Sequence, residues 1–109
     1  GSYVGPWTTL GEGILVGENS HLESSIIFDN TQMGEKASLS GCVIADACLI
    51  GRNTTIADNS IIGSNCGLGN RVNVLINSKI WPNTTITHGM TVAGVLRRFI
   101  KVNEGESNP

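Results

Sequence analysis

An aliphatic residue recurs every six positions along most of this chain, and that period limits the folds open to it. Val4, Leu10, Val16 and Leu22 are each six residues apart. A step of five leads to Ile27, sixes lead to Met33 and Leu39, and a second step of five leads to Ile44. From there the spacing is unbroken through Ile50, Ile56, Ile62, Leu68, Val74, Ile80, Ile86 and Val92. All 16 positions hold Val, Leu, Ile or Met. A period of six cannot be one face of a 3.6-residue helix. It suits a short strand, a sharp turn and another short strand, in which residues alternate sides.

The residues between the aliphatic positions support this. Gly follows the aliphatic residue at seven sites. The third residue after it, in the 13 full hexads, is Asn or Gly nine times, as at Asn19, Asn53 and Gly89. Those two residues best tolerate a positive φ, so they mark turns. The fourth is mostly small (Ser20, Thr31, Ala37, Cys48, Thr54) and is expected to point inward with the aliphatic residue. Three hexads make a triangular coil of about 18 residues, with strands of successive coils about 4.8 Å apart. The expected fold is all-β: a single parallel stack of about five triangular coils. The two five-residue steps read as one-residue deletions at a corner. They preserve the alignment of Ser25-Ile26-Ile27, Cys42-Val43-Ile44, Ser60-Ile61-Ile62 and Ser78-Lys79-Ile80 on one face.

The expected boundaries follow. Gly1-Ser2 reads as an expression scar, and residues 3–92 as the stack. Residues 93–102 read as a short C-terminal cap, helix or strand, closing the open end. Residues 103–109 read as a disordered tail. Arg97, Arg98 and Lys101 in the cap are candidates for an anionic effector, with a solvated cap as the simpler reading.

Composition narrows the function. The net charge is −2 and only 15% of residues are charged, against about 25% in ordinary domains. A nucleic-acid partner would call for a basic surplus, so none is expected. No apolar run reaches the roughly 18 residues of a membrane helix, so no membrane partner is expected either. Cys42, Cys48 and Cys66 each precede an aliphatic position by two and read as small core residues. Cys48 and Cys66 share a corner one coil apart, so a disulfide is conceivable on distance. The two histidines, His21 on a strand and His88 in a turn, are too few and too far apart for a zinc site. Either could serve as an acyl-transfer base, but a solvated surface role is the simpler reading. No interval between aliphatic positions exceeds six, so no loop is inserted to build an active site. No catalytic, cofactor-binding or metal residue is therefore assigned. The outward residues Ile26, Val43 and Ile61 form an apolar column and are the candidate interface.

The pattern as a whole resembles the hexapeptide-repeat, left-handed parallel β-helix proteins. The left hand is implied by that resemblance and runs against the usual crossover rule. The run Asn77-Ser78-Lys79-Ile80-Trp81-Pro82-Asn83, continuing to Val92, is more specific. It resembles the closing coil of sugar-phosphate nucleotidyltransferases, mannose-1-phosphate guanylyltransferase-like proteins in particular. The resemblance spans about Tyr3 to Val92. That family's catalytic domain opens with a Gly-rich loop followed by Pro-Lys and carries metal-binding Asp residues, and none of these motifs occurs here. The resemblance implies an isolated C-terminal oligomerisation and regulatory domain, itself non-catalytic and without a cofactor. The parent would be a cytoplasmic enzyme using Mg2+ and a nucleoside triphosphate to make a nucleotide sugar, GDP-mannose favoured. The implied partners are further copies of the chain and its own N-terminal catalytic domain. An acyl-CoA-dependent acyltransferase domain and a standalone structural β-helix are the alternatives.

Overall fold

A computed structural model describes residues 1–96. It is a triangular parallel β-solenoid in which every strand is two or three residues long. The first face stacks β1 (Tyr3–Val4), β4 (His21–Glu23), β7 (Ser38–Ser40), β10 (Thr55–Ile56), β13 (Asn73–Val74) and β16 (Thr91–Val92). The second stacks β2 (Thr9–Leu10), β5 (Ile26–Ile27), β8 (Val43–Ile44), β11 (Ile61–Ile62), β14 (Lys79–Ile80) and β17 (Val95–Leu96). The third stacks β3 (Leu15–Val16), β6 (Gln32–Met33), β9 (Leu49–Ile50), β12 (Gly67–Leu68) and β15 (Thr85–Ile86). There is no helix among the described residues.

All 16 aliphatic positions fall in strands, and each pairs with its counterpart one coil away, as Ile56 does with Leu39 and Val74. From Leu22 to Val92 they are at most 5% exposed and form the core. Val4 and Leu10 differ from that pattern, at 47% and 38% exposed. Their register matches that of the buried positions, Val4 against Leu22 and Leu10 against Ile27. They are exposed because no coil lies beneath them.

The stack also runs further than the aliphatic period. After Val92 a step of four reaches β17, which pairs with β14 through Val95↔Lys79 and Leu96↔Ile80. The described part of the expected cap is therefore a strand that continues the second face. The rest of the cap, with Arg97, Arg98 and Lys101, and the 103–109 tail lie outside the described residues. Both five-residue steps fall at the corner leaving the first face, after β4 and β7.

The turns show why the period is so strict. In all 13 full hexads the third residue after the aliphatic one has a positive φ. Trp7, Lys36, Ala47 and Arg71 adopt it too, although their side chains give no reason to. At Lys36, Ala47 and Arg71 the cause is a reversal in hydrogen bonding. Strand amides donate to the coil above, as Thr55 N does to Val72 O at 2.9 Å. The positive-φ amide donates to the coil below, as Asn53 N does to Glu35 O at 2.9 Å. The left-handed residue turns its N–H backwards and closes each corner onto its predecessor. A second constraint acts where the third face meets the first. A Cβ on Gly34 would lie 2.7 Å from Arg52 N, and one on Gly69 would lie 2.7 Å from His88 N. Glycine stands after the aliphatic residue there because the next coil's backbone occupies the space of a side chain.

Ile56 is fully buried in mid-stack. Ile56→Ala is expected to lower stability by about 2–5 kcal/mol in denaturant melts. Asn59 holds a φ of 63°. Asn59→Val places a β-branched residue in the left-handed region and is expected to lower stability by about 1–2 kcal/mol by the same measurement.

Candidate functional site

The inner corners carry the polar chemistry of this chain, and it is structural. Ser20, Ser25, Thr31, Thr54, Ser60, Ser78 and Thr84 are 0–2% exposed. Buried hydroxyls need partners; some find them in their own coil, as Thr84 Oγ1 does in Trp81 O at 2.7 Å, and others in the next. Thr54 Oγ1 donates to Gly69 O at 3.0 Å and accepts from Val72 N at 3.3 Å. Thr31 Oγ1 donates to Ala45 O at 3.1 Å and accepts from Cys48 N at 3.3 Å. Size alone had suggested these positions were simply small. The hydroxyls also satisfy backbone groups that the tight corners leave over.

The three cysteines sit in the same inner positions, 0–2% exposed and free. Cys48 Sγ donates to Gly63 O and Cys66 Sγ to Trp81 O, each at 3.1 Å. Cys42 approaches Ser25 Oγ at 3.5 Å, and burial pushes its thiol up to about 11. The hydrogen bond with Cys66, together with burial, pushes the Cys48 thiol up as well. Cys42 and Cys48 are thus held protonated and are poor nucleophiles; the hydrogen bond with Cys48 draws the Cys66 thiol down to about 7, but at 2% exposed it is closed off from solvent.

His21 projects outward from β4. It stacks on Tyr3 with centroids 4.7 Å apart, and its Nε2 lies 2.8 Å from Glu23 Oε1. His88 Nδ1 accepts the Asn70 amide at 2.7 Å, which leaves the ring proton on Nε2. Both rings therefore have structural partners, and they lie on opposite ends of the stack. His88 borders a shallow apolar groove of about 300 Å³ on the third face, running from Leu49 past Gly67 to Thr85. Among the described residues, no three His, Cys, Asp or Glu side chains converge on a point where a metal could bind.

The outward column on the second face is continuous. Ile26 pairs with Val43, Val43 with Ile61 and Ile61 with Lys79. Ile26 is 41% and Ile61 44% exposed, with Val43 half-buried between them. Phe28, Ala45 and Trp81 follow these strands directly, after the buried aliphatic residue. Phe28 is 50% and Trp81 52% exposed. The sequence reading missed these two aromatics, although the same two-residue alternation that placed Ile26 outward also places Phe28. Isolated exposed aliphatics are ordinary, whereas here Ile26, Ile61, Phe28 and Trp81 lie exposed on one face.

The chain is similar to several known proteins. The bifunctional protein GlmU of Clostridium kluyveri is 26% identical over 98 residues, covering 84% of this chain and 22% of that protein. The GlmU of Thermodesulfovibrio yellowstonii is 33% identical over 81 residues, covering 74% of this chain and 18% of that protein. The chain thus spans about a fifth of the length of these relatives. Among solved structures, the acetyltransferase domain of PglB from Neisseria gonorrhoeae superposes with a TM-score of 0.48 at 22% identity, covering 85% of this chain and 51% of that one.

In the native protein all three thiols are expected to resist a maleimide reagent and to react only in denaturant. Intact mass after labelling checks this. The family model of the GMPPB C-terminal domain matches residues 1–96, all of the described solenoid, and the chain belongs to that family.

Proposed function

We propose that this chain is the non-catalytic assembly and regulatory domain of a nucleotidyltransferase. That parent enzyme would join a nucleoside triphosphate to a sugar 1-phosphate, with a GDP-mannose-type product favoured. Membership of the GMPPB C-terminal domain family across residues 1–96 carries the reading. The fraction of the GlmU relatives that it spans, about a fifth, fits one part of a longer protein. The residues of this chain do not suit the Mg2+ that such a reaction uses. No carboxylates converge among the described residues, and the buried polar groups are committed to backbone partners. The metal and both substrates therefore belong to the catalytic domain, and the work is cytoplasmic.

The solenoid contributes a rigid flat wall for joining subunits. The column Ile26, Val43 and Ile61 is the contact surface, because burying exposed aliphatic area is the main driving force of association. Copies of the chain are its first partners, and its own catalytic domain packs against another part of the solenoid.

Two measurements test this. The isolated chain is expected to release no pyrophosphate from a nucleoside triphosphate with any sugar 1-phosphate, and turnover by a clean preparation overturns the reading. Light scattering is expected to show an oligomer whose mass falls when Ile26→Lys and Ile61→Lys are introduced. An unchanged mass discards the second face as the contact.

A further inference from the structure

The Lys and Arg side chains among the described residues are Lys36, Arg52, Arg71 and Lys79, and the first three share one corner. It is the corner where the third face turns into the first. The aliphatic residues before it are stacked in register, Met33 on Ile50, Ile50 on Leu68 and Leu68 on Ile86. The second residue after each is Glu35, Arg52, Asn70 and His88 in successive coils, and the third is Lys36, Asn53, Arg71 and Gly89. From the coil of Arg52 to that of His88 this corner holds no carboxylate, Glu18 and Glu35 occupying it in the coils beneath. Strands of successive coils lie about 4.8 Å apart, so Arg52 and Arg71 place two guanidinium groups on neighbouring levels. Lys36, Arg52 and Arg71 are exposed. None of them is in an ion pair among the described residues, the ion-pair contact there being His21 with Glu23.

The corner's own hydrogen bonds commit acceptors and leave donors. Asn70 Oδ1 accepts from Arg52 N at 3.0 Å, and His88 Nδ1 accepts from Asn70 N at 2.7 Å. What remains on these side chains is the NH2 of Asn70 and the Nε2–H of His88. Beside them runs the apolar groove of about 300 Å³ on the third face, lined by His88 and by Gly69, which directly precedes Asn70. Gly67 leaves the middle of that groove bare, since a Cβ there would meet nothing within 4 Å. Leu49 and Thr85 flank it in register on the coils to either side. A bare step between two side chains suits a planar ring, and the volume is about that at which small-ligand sites begin.

We infer that this corner and its groove bind a nucleoside diphosphate, with the diphosphate on Arg52 and Arg71 and the ring over Gly67. A guanidinium presents a planar fork that matches phosphate oxygens, and a diphosphate offers one anionic group to each fork. Lys36, Asn70 and His88 add positive charge and donors around the same anion. The site stands on this chain's residues, and its regulatory meaning rests on the reading proposed above.

Titration calorimetry of the 109-residue chain tests it, with GDP, inorganic pyrophosphate and guanosine as probes. GDP is expected to bind, pyrophosphate to bind more weakly and guanosine more weakly than GDP. Arg52→Gln together with Arg71→Asn is expected to weaken GDP by about tenfold, as loss of charge-assisted hydrogen bonds does. Asn is used at position 71 because the residue there holds a φ of 59°. Gly67→Leu fills the bare step and is expected to weaken GDP while leaving pyrophosphate unchanged. Lys79→Gln, an exposed cation on the second face, is expected to change neither. Far-UV spectra matching the parent show that the variants are folded. Absence of GDP binding at millimolar concentration, or an equal loss on Lys79→Gln, overturns the site. Undiminished GDP binding by Gly67→Leu overturns the placement of the ring. None of these results alters the pyrophosphate-release and light-scattering outcomes, on which the assembly and regulatory reading stands or falls separately.

Discussion

Everything in this molecule depends on one coil hydrogen-bonding to the next in register. No strand exceeds three residues, so none could persist alone. Each is stable only as a rung between two others. Strand amides reach up and the positive-φ amides reach down, so every coil is tied to both neighbours. A shift of one residue in any coil would turn its aliphatic residue outward and break both sets of bonds. That explains why the sequence is so regular, and why the departures before Val92 are one-residue deletions stacked above one another at the same corner.

The stacking decides what the side chains can do. The core is narrow, and branched aliphatics alternate with small residues along its inner surface. At the corners the backbone leaves carbonyls and amides that water cannot reach. Serine, threonine and cysteine supply both the volume and the hydrogen bonds, each linking its own coil to the next. Groups that elsewhere would suggest chemistry are here committed to holding corners together. His88 is the outward counterpart, its Nδ1 fixed by the amide of Asn70 one coil below.

The surface left over is a set of flat walls. A catalytic centre needs groups converging on one point from several directions, whereas a solenoid face presents its residues in parallel columns.

The sequence by itself determined the coil, the three faces and the direction of nearly every side chain. Such a short period leaves each residue only one environment. It placed Ile26, Val43 and Ile61 in one outward column and each cysteine inside. It did not reveal that Val4 and Leu10 are exposed, since that follows from their coil being the first and not from their place in the hexad. Nor could it show that Lys36, Ala47 and Arg71 enter the left-handed region, because there the inter-coil hydrogen bond overrides residue preference. The glycines beside Arg52 and His88, the hydroxyl bridges and the step to β17 were likewise decided by tertiary structure. Each is a contact between residues 14 to 19 positions apart, where the local pattern is silent and only the stacked coil brings the partners together.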